Sequence, residues 1–145
     1  MLERRGMVFF SSPARVSHLL SRLAGTIPLW ENEIPRPPTF ITEDEEAAVR
    51  WVEECGPAII KPLYSTNARG MALLSDEAET RSAIAGLQAS GEKIIYLQKK
   101  LDLSGADYGL VFLGGEFIGA YSRVGDGSSW HTTTQQGGKY AAFDP

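Results

Sequence analysis

A chain of 145 residues with 43% hydrophobic and 22% charged residues amounts to about one domain or two small lobes, long enough to bury a core. Its net charge of −4 argues against non-specific nucleic-acid binding, which needs a basic footprint. No apolar run approaches the roughly 20 residues that span a bilayer, and Met7–Phe10 is too short for a signal-peptide core. The single cysteine, Cys55, excludes an internal disulfide and fits a reducing cytoplasm.

Along the chain, Met7–Phe10 is compatible with a short strand or a frayed terminus. Ser12-Pro13 has the form of a helix start, and Val16, Leu19, Leu20 and Leu23 recur at helical spacing, which predicts an amphipathic helix ending near Gly25. The proline-rich Ile34–Thr39 must be extended, since each proline disfavours helix for the residue before it. Thr42-Glu43-Asp44-Glu45 reads as a capping box opening a helix with Ala48, Trp51, Val52 and Cys55 on one face, stopped by Gly56-Pro57. A strand is predicted at Ala58–Leu63 and another at Met71–Leu74. A helix follows from Ser75-Asp76-Glu77, with Ala78, Ile84 and Leu87 inward and Ser90-Gly91 at its end, and then a strand at Ile94–Leu97. Beyond Gln98, two alternating runs flank Gly114-Gly115, the pattern of a hairpin with positive φ in its turn. From Gly125 onward the Gly, Ser, Thr and Gln content predicts a long loop.

The chemistry concentrates in Lys61–Met71, K-P-L-Y-S-T-N-A-R-G-M, between two apolar runs. A lysine at the end of a buried strand is costly unless its charge is used, and a phosphate chain would compensate it. Ser65, Thr66 and Asn67 offer hydroxyl and amide donors, and Gly70 permits close backbone approach to a ligand. The loop is neither a Walker A motif nor a Rossmann turn, because G-x-x-x-x-G-K-[ST] is absent and a strand follows in place of a helix. Taken alone, an ordinary hairpin with a snorkelling lysine explains it equally well. His131 beside Trp130 reads as a loop histidine, Cys55 as core, and Trp30 and Trp51 as packing. No cysteine–histidine cluster suggests zinc.

The order of these elements resembles the ATP-grasp superfamily, specifically the RimK-like carboxylate–amine ligases, from about Ser12 to Gly138. The helix containing Arg22 resembles the one whose basic residue touches the α-phosphate. Ile34–Thr39 resembles the I-P-x-P-x-T segment, and Pro57–Lys61 the strand with the second nucleotide lysine. Ser65–Gly70 resembles the phosphate loop. Ile95–Leu101 resembles the hinge that reads the adenine edge, here through Gln98, Lys99 and Leu101. Asp107 and the hairpin to Arg123 resemble the G-x-D-x-R segment and its following strands, and Gly137-Gly138 the end of the substrate loop. The N-A-R-G-M loop is also similar to that of ATP-grasp proteins of the so-called GAK gene system. Gly109 departs from the pattern, standing where an arginine is usual; so do Ala68 and Arg69 in the loop, and Thr132–Thr134.

The resemblance implies an α+β, partial ATP-grasp fold: residues 1–38 a helical and linker segment, 39–98 the nucleotide lobe, and 99–145 part of a second lobe. It implies ATP and Mg2+ as cofactors, with small-molecule or peptide carboxylate and amine substrates. Arg22, Lys61, Ser65, Thr66, Asn67, Gly70, Gln98, Lys99, Leu101 and Asp107 would bind nucleotide, and Arg123 would steady the transferred phosphate. The family's magnesium ligands have no counterpart in the sequence. The chain is therefore expected to be a piece of a longer protein, cytoplasmic and inactive by itself. Homo-oligomer formation stays open. Two other readings also stand: a non-catalytic module binding a partner through its glycine-rich tail, and an ATP-grasp phosphotransferase.

Overall fold

The computed structural model describes residues 5–9, 11–127, 130, 132–134 and 137–145. Its contacts divide it into two compact units, with the boundary between Lys100 and Leu101.

The first unit contains α1 (Pro13–Leu20), α2 (Arg22–Glu31), β1 (Thr39–Thr42), α3 (Glu45–Cys55), β2 (Ala58–Ile60), β3 (Ala72–Leu74), α4 (Glu77–Ala89) and β4 (Ile95–Lys99). The strands form one antiparallel sheet in the order β1-β4-β2-β3. Ala48 and Val52 of α3 and Ile84 and Leu87 of α4 pack with Ala58, Ile60, Leu74, Ile95 and Leu97 into the core. Phe40 and Trp51 stack at its edge, ring centroids 5.7 Å apart, so Trp51 does pack as expected. Each of the two core helices opens on an aspartate whose carboxylate accepts from a backbone N–H three residues on, Asp44 from Ala47 and Asp76 from Glu79. Arg81 of α4 bonds Glu45 and Glu46 of α3, tying the helices together on their outer side.

Several expectations change. The single helix predicted to Gly25 is two: Ser21 is extended and its hydroxyl caps α2, which runs through Gly25 and Pro28 to Glu31. Nothing on α1 is buried, so Val16, Leu19 and Leu20 do not form a core face within this chain. Thr42 is not the cap but the last residue of β1, a strand the sequence reading missed; its hydroxyl accepts from the Asp44 N–H. The strand expected to reach Leu63 ends at Ile60, and the chain meets Pro62, which cannot donate to a ladder. On α4 it is Thr80 and not Ala78 that points inward, its hydroxyl satisfied by the Asp76 carbonyl. The strand placed at Ile94–Leu97 runs instead from Ile95 to Lys99. Met7–Phe9 is irregular and Phe10 lies outside the described residues.

The second unit is a three-stranded antiparallel sheet, β5 (Ala106–Leu113), β6 (Glu116–Val124) and β7 (Lys139–Ala142), in that order. Gly114 and Gly115 form the hairpin turn with φ of 62° and 93°, as their sequence requires. A register shift opposite Val111 and Phe112 leaves Ile118 without a direct partner, a β-bulge. The region from Gly125 on was expected to be loop throughout, but β7 adds a strand there.

Candidate functional site

Because side chains alternate along a strand, the residues between the core positions of β2 and β4 face the opposite side of the sheet. Tyr96 and Gln98 of β4 take that side, with Ile59 paired to Gln98, and Lys61 one step beyond β2. The Lys61 N–H donates to the Tyr96 carbonyl at 3.0 Å, extending the ladder and fixing the lysine's direction. Its ammonium donates to Gln98 Oε1 at 2.5 Å. Gln98 Nε2 in turn donates to Thr39 Oγ1 on β1, 3.1 Å away.

Helix α2 comes to this same side, where Thr26 Oγ1 lies 2.8 Å from the buried Tyr96 hydroxyl. That contact puts Arg22, at the first turn of α2, against the chain that follows Lys61. Arg22 Nε donates to the Pro62 carbonyl at 2.7 Å, and Nη2 donates to Ser65 Oγ at 2.9 Å and to the Ser65 carbonyl at 3.3 Å. Its backbone N–H, one of those a helix start leaves unpaired, donates to the Leu63 carbonyl. From the turn after α4, Glu92 Oε2 accepts the Leu63 N–H at 3.1 Å. The root of the Ser65–Gly70 loop is thus held from both sides.

The loop itself coils tightly. Asn67 and Ala68 are both left-handed, with φ of 56° and 58°, and for Ala68 that conformation costs about 1–2 kcal/mol. Gly70 has φ 69° and lies so close to the Pro62 ring that a side chain could not be added without a shift. Arg69 turns back on the loop, its Nη2 donating to Thr66 Oγ1 at 3.1 Å.

Burial chiefly, and the Arg22 charge secondarily, bring the Lys61 pKa down to about 8. Burial also lowers Arg22, with Tyr96 and Glu92 opposing the shift. Neither cation forms a salt bridge with a described carboxylate. Two half-buried positive groups of that kind fit a polyanion such as a phosphate chain. A divalent metal is a different matter: among the described residues no group of three or more His, Cys, Asp or Glu side chains could hold one, and no step is assigned to it.

The expected site residues therefore fall into two sets. Arg22, Lys61, Ser65 and Gln98 are brought together in the first unit, with Thr66, Asn67 and Gly70 farther along the same loop. Lys99 follows Gln98 on β4, its N–H donating to the Pro38 carbonyl. Leu101, Asp107 and Arg123 belong to the second unit. There Asp107 and Arg123 face each other across β5 and β6, Arg123 Nε donating to Asp107 Oδ1 at 2.7 Å, and Thr132 Oγ1 donates to Asp107 Oδ2. This ion pair raises the Arg123 pKa, so the guanidinium is a fixed positive charge. Gly109, where the resemblance leads one to expect an arginine, pairs with Tyr121, whose ring fills the space a side chain would need. His131 lies outside the described residues. Thr39, Glu92, Thr26 and Tyr96 went unrecognised as site residues. Their contacts join segments distant in sequence, and only the threonine after Pro37-Pro38 stands in a motif that could have signalled it.

Residues 29–144 match the family model described as the prokaryotic glutathione synthetase ATP-grasp domain. The tetrahydromethanopterin:alpha-L-glutamate ligase of Methanosarcina acetivorans is 24% identical over 147 residues, covering 94% of this chain and 45% of that protein. The glutathione synthetase of Thermosynechococcus vestitus is 29% identical over 146 residues, covering 99% of this chain and 45% of that one. The crystal structure of a RimK domain ATP-grasp protein from Sphaerobacter thermophilus superimposes with a TM-score of 0.65 at 25% identity, over 77% of this chain and 43% of that one. This chain thus spans about half the length of the relatives it matches. With a family match over most of its length and the partial α+β architecture to go with it, the chain belongs to the ATP-grasp family of the RimK and glutathione synthetase type.

Proposed function

We propose that this chain supplies the ATP-binding part of a ligase that activates a carboxylate as an acyl phosphate for attack by an amine. The observation that carries this reading is the convergence of Lys61 and Arg22, two half-buried cations without a described carboxylate in salt-bridge range, beside a tightly coiled loop. Lys61 and Arg22 would meet phosphate oxygens, and the Ser65, Thr66 and Asn67 groups with the backbone near Gly70 would close over them. Gln98 and Lys99, at the end of β4, would border the base. The adenine-edge role considered for Gln98 would require its amide to exchange partners, since both ends are engaged. In the second unit, Arg123 is the group we assign to the transferred phosphate, and Asp107 its anchor. In such a ligase the carboxylate oxygen takes the terminal phosphoryl group and ADP leaves; the amine then bonds the acyl carbon and phosphate leaves. Magnesium accompanies nucleotide phosphates in such reactions, commonly through one or two carboxylates and several waters. The acid and the amine are of the small-molecule or peptide class. We place the protein in the cytoplasm on its single cysteine; no helix among the described residues is long and apolar enough to cross a membrane.

Thermal unfolding during titration with Mg-ATP tests the nucleotide reading. A ligand at a hundred times its Kd stabilises the folded state by about 2.7 kcal/mol, enough to raise the Tm by several degrees. The wild-type chain should show that rise and Lys61→Ala should lose most of it. A wild-type Tm indifferent to Mg-ATP would favour the non-catalytic module instead.

A further inference from the structure

We propose that Thr39 is a positioning residue for Lys61, acting through Gln98 in a hydrogen-bond relay whose direction is fixed at both ends. The relay joins four residues of three segments: Lys61 Nζ to Gln98 Oε1, Gln98 Nε2 to Thr39 Oγ1 at 3.1 Å, and Thr39 Oγ1 to the Pro37 carbonyl at 2.9 Å. A carbonyl only accepts and a lysine ammonium only donates. The Thr39 hydroxyl has one proton, which goes to Pro37, so toward Gln98 it is an acceptor. It therefore selects the NH2 end of the amide and turns the oxygen toward Lys61. Without that hydroxyl only the ammonium orients the amide, and the half-turned amide, which sets two donors against one another, is no longer excluded from the Thr39 side.

The neighbourhood makes this orientation matter. Lys61 shares its half-buried position with the Arg22 charge, itself faced by Glu92 and Tyr96, and Gln98 Oε1 is the acceptor given to its ammonium. Pro37 is suited to end the relay, because its ring and that of Pro38 restrict the chain just before β1, and Pro38 is in turn held by the Lys99 N–H at 2.8 Å. The sheet pairing of Thr39 with Gln98 keeps the middle of the relay in register.

The inference rests on the reading of Lys61 as a phosphate ligand, and two measurements separate the failure of one from the failure of the other. The first is the titration of the Lys61 side chain by NMR in the ligand-free full chain. With the amide held from one end only, Thr39→Val should lower the Lys61 pKa by up to about one unit, while Thr39→Ser keeps the wild-type value. A carboxylate has no donor end to misdirect. Thr39→Val should therefore leave the Lys61 pKa unchanged when made in a Gln98→Glu background. The second is calorimetric titration with ATP, where Thr39→Val should weaken binding about three- to tenfold at pH 7.5 and Thr39→Ser should restore it. A Thr39→Val effect of equal size in both backgrounds, or none in either, overturns the relay. Should Thr39→Val fail to fold, Thr39→Ala in the same two backgrounds decides by the same criterion. If the wild-type chain binds no ATP, the functional reading falls, and the NMR titration alone decides the relay.

Discussion

In the first unit Ile95 and Leu97 alternate with Tyr96 and Gln98 and are completely buried, whereas in the second Leu110 and Phe112 alternate with Gly109 and Val111 and are 54% and 57% exposed. Both strands carry large apolar residues at alternate positions. They differ in what the unit provides above them: α3 and α4 cover the first sheet, while the described part of the second unit has no α-helix. Alternation decides which residues share a face, and a covering layer decides whether that face leaves water. The same difference extends to polar groups. On the first sheet's other face Lys61 is buried enough to titrate near 8, and on the second sheet Arg123 depends on a direct partner, Asp107.

The comparison can be broken most directly by paired truncations. Leu74→Ala, in the first core, should cost about 2–5 kcal/mol in denaturant unfolding. Leu110→Ala should cost less than about 1 kcal/mol; equal losses would mean the two sheets are covered alike. A smaller effect sharpens the polar half of the contrast. Folded Lys61 loses its proton at about 8, down from the ordinary lysine value of 10.5, so between those pH values the unfolded chain holds a proton that the folded chain has released. Stability should therefore rise with pH across that window, and Lys61→Met should abolish the rise. ATP binding, which favours the charged amine, should weaken above pH 8 by up to about tenfold per unit, the limit for one linked proton. The smallest effect is expected at the α3–α4 surface. Arg81→Ala removes three exposed ion pairs with Glu45, Glu46 and Glu77, and its loss should shrink as salt is added.

How far this was legible in the sequence follows the range of the interactions. Helix α3 and the hairpin turn at Gly114-Gly115 are set by neighbours a few residues apart, and local patterns located them. Strand β1 was missed because Thr42 satisfies a capping rule on paper, and only its pairing with Ile95 reveals a strand. Strand β7 was missed because Lys139–Ala142 has too little alternation to stand out beside a glycine-rich run. Helical spacing on α1 marks residues that share a face, and it is blind to whether anything in the fold covers that face. In the site, Lys61 and Arg22 were visible as charges placed oddly for their surroundings. That Arg22 holds Pro62 and Ser65, some 40 positions away, and that Gln98 is bound to Thr39, depends on the closed sheet.

The register of β5 and β6 also bears on the order in which the molecule assembles. Their pairs run from Leu113–Glu116 outward to Ala106–Val124, so every contact closes a short loop from a two-residue turn. In the first sheet Thr39 must find Gln98 across 59 positions before β1 has a neighbour at all. Hairpins of the first kind form in about 1–10 μs, while pairings between distant segments pay a loop-closure entropy before any contact repays it. The β5–β6 ribbon should thus form early and β1 should close onto β4 late. In a folding experiment, the segment that completes the Lys61 relay would gain protection from hydrogen exchange last.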